Sequence, residues 1–102
     1  MSTGAISPFH PVATAAVSAS QVSANIRLTG GGGTVLVTNT TASLAYVNLG
    51  SDSSVQATSA DMPVLPNNKV LLQAGSLVSH GAAIVATGTG LILFTRGTGA
   101  TI

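Results

Sequence analysis

The sequence predicts an all-β fold, and its composition and residue spacing carry the prediction. Val, Ile and Thr, which favour strands, are abundant, whereas Glu is missing and Gly recurs every few residues after Gly30. No stretch shows a clear helical period. Short strands at this spacing are typical of a sandwich or a jelly roll. We therefore expect a single-domain β-sandwich or jelly roll of about 7–8 short strands.

The clearest strand lies at 21–28, where apolar and polar residues alternate as expected for a half-buried strand. Its two faces are Val22, Ala24, Ile26 and Leu28 on one side and Ser23, Asn25 and Arg27 on the other. Further strands are predicted at 34–39, 44–49, 69–74, 82–86 and 91–96. The runs 70–72 and 91–94 are continuously apolar, which is expected where both faces of a strand are covered.

Turn-forming residues separate these strands. Glycines at 30–33 permit positive φ, and polar residues at 51–54 offer hydrogen bonds from side chain to backbone. The Pro-Asn-Asn sequence at 66–68 suits a tight reversal. These positions divide the chain into the short segments that a β-sandwich requires.

The first part of the chain, 1–20, differs from the rest because it is uncharged and rich in Ala, Ser and Thr. We interpret it either as an extended N-terminal arm or as a first strand that begins near Val12, and we assign 21–102 to the β-sandwich domain. The segment lacks a positively charged n-region, so no signal peptide is expected. No apolar run is long enough to predict a membrane span.

Charged residues are scarce. Only five of the 102 residues carry a charge, against roughly a quarter in an ordinary soluble domain. Uncharged polar groups lose far less than ions when they leave water, so a surface of Ser, Thr, Asn and Gly tolerates burial against neighbours. Ala and Val dominate the apolar residues, and association commonly stabilises a thin core of this kind. We therefore interpret the chain as a component of an assembly.

The residues that could carry chemistry are few and scattered. Asp52 and Asp61 lie in turn-like surroundings, and His10 and His80 have no ligand spacing such as His-x-x-x-His. The chain has no Cys and no Gly-x-Ser-x-Gly motif. Glycines 30–33 are followed by a strand-like run rather than by the Lys of a phosphate loop. We predict no catalytic residue, no cofactor and no metal; an enzyme would require these His and Asp side chains to converge.

The three basic residues are Arg27, Lys69 and Arg96. Binding to nucleic acid needs several clustered cations, and these three lie far apart in the sequence. They could converge only in the fold or around a symmetry axis. Direct binding to nucleic acid is therefore not expected.

A series of turn and packing segments extends over 34–99. It comprises Asn-Leu-Gly at 48–50, Asp-Met-Pro-Val-Leu-Pro at 61–66, an alanine-rich strand with Gly-Thr-Gly at 82–90, and a closing strand at 91–99. In this order the chain resembles small β-rich structural proteins of tailed bacteriophages, including cement-like head decoration proteins. It departs from them at 69–72, where an acidic, aromatic strand is common. The resemblance implies a virion component, often linked to the head, without catalytic residues.

We therefore expect a capsid decoration (cement) protein that binds the outside of a phage head and bridges neighbouring major capsid subunits. The expected partners are the major capsid protein and further copies of the chain in a homotrimer. The protein would be made in the host cytoplasm and located on the virion exterior. Candidate partner contacts are Phe9, His10, Val12, Arg27, Lys69 and Arg96.

Two alternatives remain open. The first is a tail or fibre module that binds a host glycan or protein, which predicts a saccharide groove around Tyr46 or Phe94. The second is a head–tail connector subunit, which predicts a ring of many copies.

Overall fold

The computed structural model of the protein describes residues 9–28, 30–75 and 77–99, and within them the chain forms eight strands and no helix. The strands are β1 (His10–Ala19), β2 (Ala24–Arg27), β3 (Thr34–Asn39), β4 (Ala45–Gly50), β5 (Met62–Val64), β6 (Lys69–Gln73), β7 (His80–Val85) and β8 (Gly90–Thr98). Every predicted strand is present, and the prediction for 34–39 coincides with β3. The all-β prediction is confirmed.

The strands pair in the nested order of a jelly roll. β1 pairs with β8, β2 with β7, β3 with β6 and β4 with β5, all antiparallel. Ladders between β3 and β8 and between β4 and β7 join these pairs into two sheets. The sheets have the orders β1-β8-β3-β6 and β2-β7-β4-β5. They pack as a sandwich, as in a long double strand rolled up on itself.

Strand β1 accounts for the described part of segment 1–20 from His10 onward, while residues 1–8 lie outside the described ranges. It begins slightly earlier than Val12 and pairs with β8 from His10 opposite Thr98 to Ala19 opposite Gly90. A β-bulge lies between Pro11 and Ala13. Because β1 is an edge strand, it accommodates a proline without leaving a ladder hydrogen bond unmade.

The core lies between the inward faces of the two sheets and is built mainly from β-branched side chains and alanine. Its largest fully buried apolar side chains are Phe94, Ile92, Val35, Val37, Val47 and Val85. Phe94 in β8 lies against Gly81 in β7, so the bulkiest side chain of the core faces a residue without one. The thin core expected from composition is therefore packed by matching large residues of one sheet with small residues of the other.

The structure differs from the sequence prediction around β2 and β5. The alternation at 21–28 yields a shorter strand, and Val22 is 75 % exposed instead of sharing the buried face with Leu28. The backbone N–H of Val22 donates to the Ser20 hydroxyl in a tight corner that carries the chain from one sheet to the other. Strand β5 was not predicted, because it is short and contains Pro63 at the edge of its sheet.

Candidate interaction surfaces

The outer side of the β1-β8-β3-β6 sheet carries a patch of leucines. Side chains in β3 and β8 alternate between buried positions and positions that point away from the core. The outward apolar positions of this sheet include Leu36, Leu71, Leu91 and Leu93, which we call the leucine face. Leu36 lies opposite Leu71, and Leu91 is 47 % exposed. The continuously apolar runs of β6 and β8 thus have one side on the core and one side on the surface.

Charge is nearly absent from the leucine face. Within the ranges that the structure describes, Lys69 at the start of β6 is the one formally charged residue that strand alternation places there. The other outward residues of the sheet are small or uncharged, among them Thr14, Ala16, Ser18, Thr34, Thr38, Gln73 and Thr95. Uncharged threonines lie among the leucines, because Thr95 is opposite Leu36 and Thr38 is opposite Leu93, and an apolar surface with so little charge suits binding to another protein.

Part of the outer side of the β2-β7-β4-β5 sheet, by contrast, is covered by the chain itself. Loop 51–61 crosses this side between β4 and β5. Asn25 Nδ2 donates to the Ser53 carbonyl at 2.8 Å, and Asn48 Nδ2 donates to the Gln56 carbonyl at 3.0 Å. Ala82, on β7, is fully buried although it points away from the core. The two faces of the sandwich therefore differ, and no loop of the described residues crosses the leucine face in this way.

One end of the sandwich is organised around Arg96, which is only 6 % exposed. Its Nε donates to the Gly32 carbonyl at 3.0 Å, and its two terminal nitrogens donate to the carbonyls of Val78 and Gly75. The side chain thereby ties the loop between β2 and β3 to the loop between β6 and β7. A cavity of about 460 Å³ opens beside it, and Arg27 and glycines 30–33 also line this cavity.

Most of the predicted partner contacts lie near this end of the sandwich. The set was Phe9, His10, Val12, Arg27, Lys69 and Arg96. Phe9 precedes β1 and is half-buried, His10 begins β1, and Val12 packs against Gly30 of the cavity loop. Arg27 ends β2 and is exposed, whereas Arg96 is buried. Lys69 lies away from this end of the sandwich. It pairs with Thr38 in the ladder, and Thr38 is roughly 14 Å along β3 from Thr34, the residue at which β3 begins.

The histidines and aspartates do not form a cluster. Within the described ranges, no three His, Asp or Glu side chains come together as a metal site would require. Asp52 and Asp61 each serve a turn: Asp52 accepts hydrogen bonds from Ser54, and Asp61 accepts them from Thr58. The hydrogen bonds from Ser54 hold the pKa of Asp52 below its usual value, and nearby His80 acts in the same direction.

The two aromatic residues named for a saccharide groove have different environments. Phe94 is 1 % exposed and belongs to the core, so it offers no surface to a sugar. Tyr46 is half-buried and lines a shallow cavity of about 330 Å³ together with Gln21 and Ser59. Of the two predicted positions for a saccharide groove, only the one around Tyr46 lies at the surface.

The buried amide of Asn39 was not predicted from the sequence. Asn39 has no exposed surface, and its Nδ2 donates to the carbonyls of Ser43, Val64 and Leu65 at 2.8–3.2 Å. Its Oδ1 accepts from the backbone and the hydroxyl of Thr41. An Asn followed two residues later by Thr is compatible with this local hydrogen bonding, but the sequence does not reveal the contacts with β5.

Comparison with known proteins adds no relative. No family model matches the chain, and no curated protein or solved structure matches it significantly. The described residues include no helix long and apolar enough to cross a membrane. The protein is a small jelly-roll β-sandwich, and the part of the chain that the structure describes leaves one apolar face uncovered.

Proposed function

We propose that the protein is a virion structural protein, a decoration (cement) protein that binds the outside of a tailed-phage head. The leucine face is the observation that supports binding to another protein. A jelly roll is an architecture used by viral capsid domains, and also by lectins and cupins, so the fold agrees with the proposal without selecting it. The assignment to a phage head rests on the order of turn segments that resembles phage structural proteins, and no family model or known protein matches the chain.

The proposed mechanism is mechanical. The protein would bridge neighbouring major capsid subunits and bury apolar area where internal pressure separates them. At about 25 cal/mol per Å², an interface of roughly 1,600 Å² provides enough gross free energy to bind, although association consumes much of it. Repeated attachment over a lattice strengthens weak single contacts. We further propose that copies associate with one another as a homotrimer on the virion exterior after synthesis in the host cytoplasm.

The scarcity of charge makes the leucine face suitable for this role. Leu36 lies opposite Leu71 of the edge strand β6, and the formally charged residue on this face, Lys69, begins the same edge strand. Burial of this surface therefore removes leucine and threonine groups from water rather than ions, and its desolvation cost is low. Association through such a face is expected to persist in high salt, because it does not depend on ion pairs.

The first experiment measures the mass of the purified protein by size-exclusion chromatography with light scattering over a dilution series, at low and high salt. We expect a trimer that persists in high salt. Leu36→Asp should dissociate it, because a carboxylate would be buried without a partner. Leu77→Asp is the matched control, because Leu77 is 81 % exposed and lies outside the leucine face. A monomer at every concentration would contradict self-association, and a dodecamer would favour the connector alternative.

The second experiment tests attachment to capsids directly. Heads of the virus that encodes the chain, prepared without this protein, are mixed with wild type, Leu36→Asp or Leu77→Asp and then sedimented. We expect wild type and Leu77→Asp to sediment with the heads and Leu36→Asp to remain in solution. The proposed function is wrong if folded wild-type protein fails to bind such heads.

A glycan-binding module is the second candidate, and the cavity beside Tyr46 is the observation that favours it. Gln21 and Ser59 supply polar groups next to the aromatic ring, which is the combination that a sugar needs for stacking and hydrogen bonding. A glycan array with wild type and Tyr46→Ala tests this candidate. Binding of a defined saccharide that disappears in Tyr46→Ala would support it over the capsid role.

A further inference from the structure

Arg96 is a buried cation without a carboxylate partner among the described residues. Asp52 and Asp61, the two acidic side chains of the sequence, are hydrogen-bonded to Ser54 and Thr58 instead. A guanidinium stays protonated in proteins, and a buried charge is costly unless it is compensated. Three backbone carbonyls accept hydrogen bonds from Arg96 and provide only partial negative charge.

The cavity beside Arg96 is the place where a compensating anion could enter. Arg96 and Arg27 both line it, so two of the three basic side chains of the chain meet there. Ser79 also lines the cavity, with its hydroxyl bonded to the Ser51 carbonyl and to His80 Nδ1, and no acidic side chain belongs to the lining among the described residues. The guanidinium of Arg96 has more N–H donors than its three carbonyl contacts use.

The glycine loop makes this cavity open to a ligand. Glycines 30–33 bring bare backbone to the cavity wall, and a Cβ added at Gly31 would have no heavy atom within 4 Å. Gly30 and Gly32 have positive φ, and the Gly32 carbonyl accepts the hydrogen bond from Arg96 Nε, so the loop is fixed beside the guanidinium. The volume of about 460 Å³ exceeds what a single small ion needs.

We propose that this cavity binds an oxyanion group, either a carboxylate or a phosphate, held between Arg27 and Arg96 at the glycine loop. Charge-assisted hydrogen bonds from guanidinium groups to such oxygens are among the strongest in proteins. The cavity leaves room for the molecule or side chain that carries the oxyanion. This inference does not depend on the proposed capsid function, because it concerns the isolated chain.

Titration of the isotope-labelled full chain followed by NMR tests the proposal. Sodium phosphate and sodium acetate are added in separate series, with sodium chloride holding the ionic strength constant. We expect saturable shifts of the amide signals of glycines 30–33 and of the Arg96 Nε–H. Gly90, at the opposite end of β8 and roughly 20 Å away, should not move. Saturation by phosphate alone assigns a phosphate ligand, and saturation by acetate alone assigns a carboxylate.

Two variants distinguish anion binding at this cavity from nonspecific attraction of anions to a basic protein. Arg27 is exposed, so Arg27→Ala should fold and should weaken binding at least about tenfold, as expected for loss of one charge-assisted contact. Lys69→Ala removes the same charge away from the cavity and should leave the affinity unchanged. The proposal is overturned if neither anion saturates, if Arg27→Ala binds like wild type, or if Lys69→Ala weakens binding equally.

Discussion

Gly81 in β7 faces Phe94 in β8 across the sandwich, so closely that a Cβ on Gly81 would lie 2.8 Å from Cε1 of the ring. Both residues are buried. Phe94 is the largest side chain of the core, and its ring occupies the space that the missing side chain of Gly81 leaves. The separation of the two sheets at this point therefore depends on a glycine.

We predict that Gly81→Ala lowers the free energy of unfolding by about 1–3 kcal/mol, because the added methyl group overpacks the core against Phe94. Urea denaturation measures the change. Gly75→Ala is the control, because a Cβ there meets no heavy atom within 4 Å, and it should change stability by less than about 0.5 kcal/mol. Equal stabilities for the two variants would contradict the proposed packing.

Asn39 gives a second prediction about stability. Asn39→Ala should lower the free energy of unfolding by at least about 2 kcal/mol, because it removes the donor to three carbonyls and leaves buried polar groups unpaired. Asn25→Ala is the comparison, because Asn25 is exposed and water can replace its bonds to loop 51–61. We expect it to cost less than about 1 kcal/mol by urea denaturation. A larger loss for Asn25→Ala would show that the loop matters more than the buried amide.

Arg96 gives a third prediction about stability. Arg96→Met keeps most of the side-chain length but removes the hydrogen bonds that join the two loops, and we expect a loss of about 2 kcal/mol or more in thermal or urea unfolding. Lys69→Met makes the same replacement at an exposed strand position and should change stability by less than about 0.5 kcal/mol. Hydrogen exchange should also accelerate in both loops of Arg96→Met. Unchanged exchange there would mean that Arg96 does not hold the loops together.

The lowered pKa of Asp52 gives a prediction about pH. The folded state favours the ionised carboxylate of Asp52, so this group stabilises the fold at pH values above its unfolded pKa, which is near 4. The stabilisation is lost as the pH falls through the pKa of Asp52 in the folded protein. Ser54→Ala removes the hydroxyl that contributes most to the shift, so the pKa of Asp52 should rise towards its ordinary value. Carboxyl ¹³C chemical shifts measured against pH test this. An unchanged titration of Asp52 in Ser54→Ala would contradict the assigned cause.

The strands were predictable because their signals are local. Strand-favouring residues marked β3 within its observed bounds, and the apolar runs marked β6 and β8. The alternation at 21–28 correctly predicted a strand, β2. It also predicted that Val22 lies on the buried face, whereas Val22 is exposed because the corner after β1 interrupts the pattern. The alternation in the sequence continues through this bend, but the strand begins only after it.

The sequence by itself determined that this protein is an all-β sandwich with very little charge, because composition and side-chain period are properties of neighbouring residues. Only the tertiary structure decided that β1 pairs with β8, that Asn39 and Arg96 are buried, and that loop 51–61 covers part of one sheet while no described loop crosses the leucine face. These contacts join residues far apart in the chain. Their free energies depend on which surfaces meet after folding, and no local pattern encodes that choice.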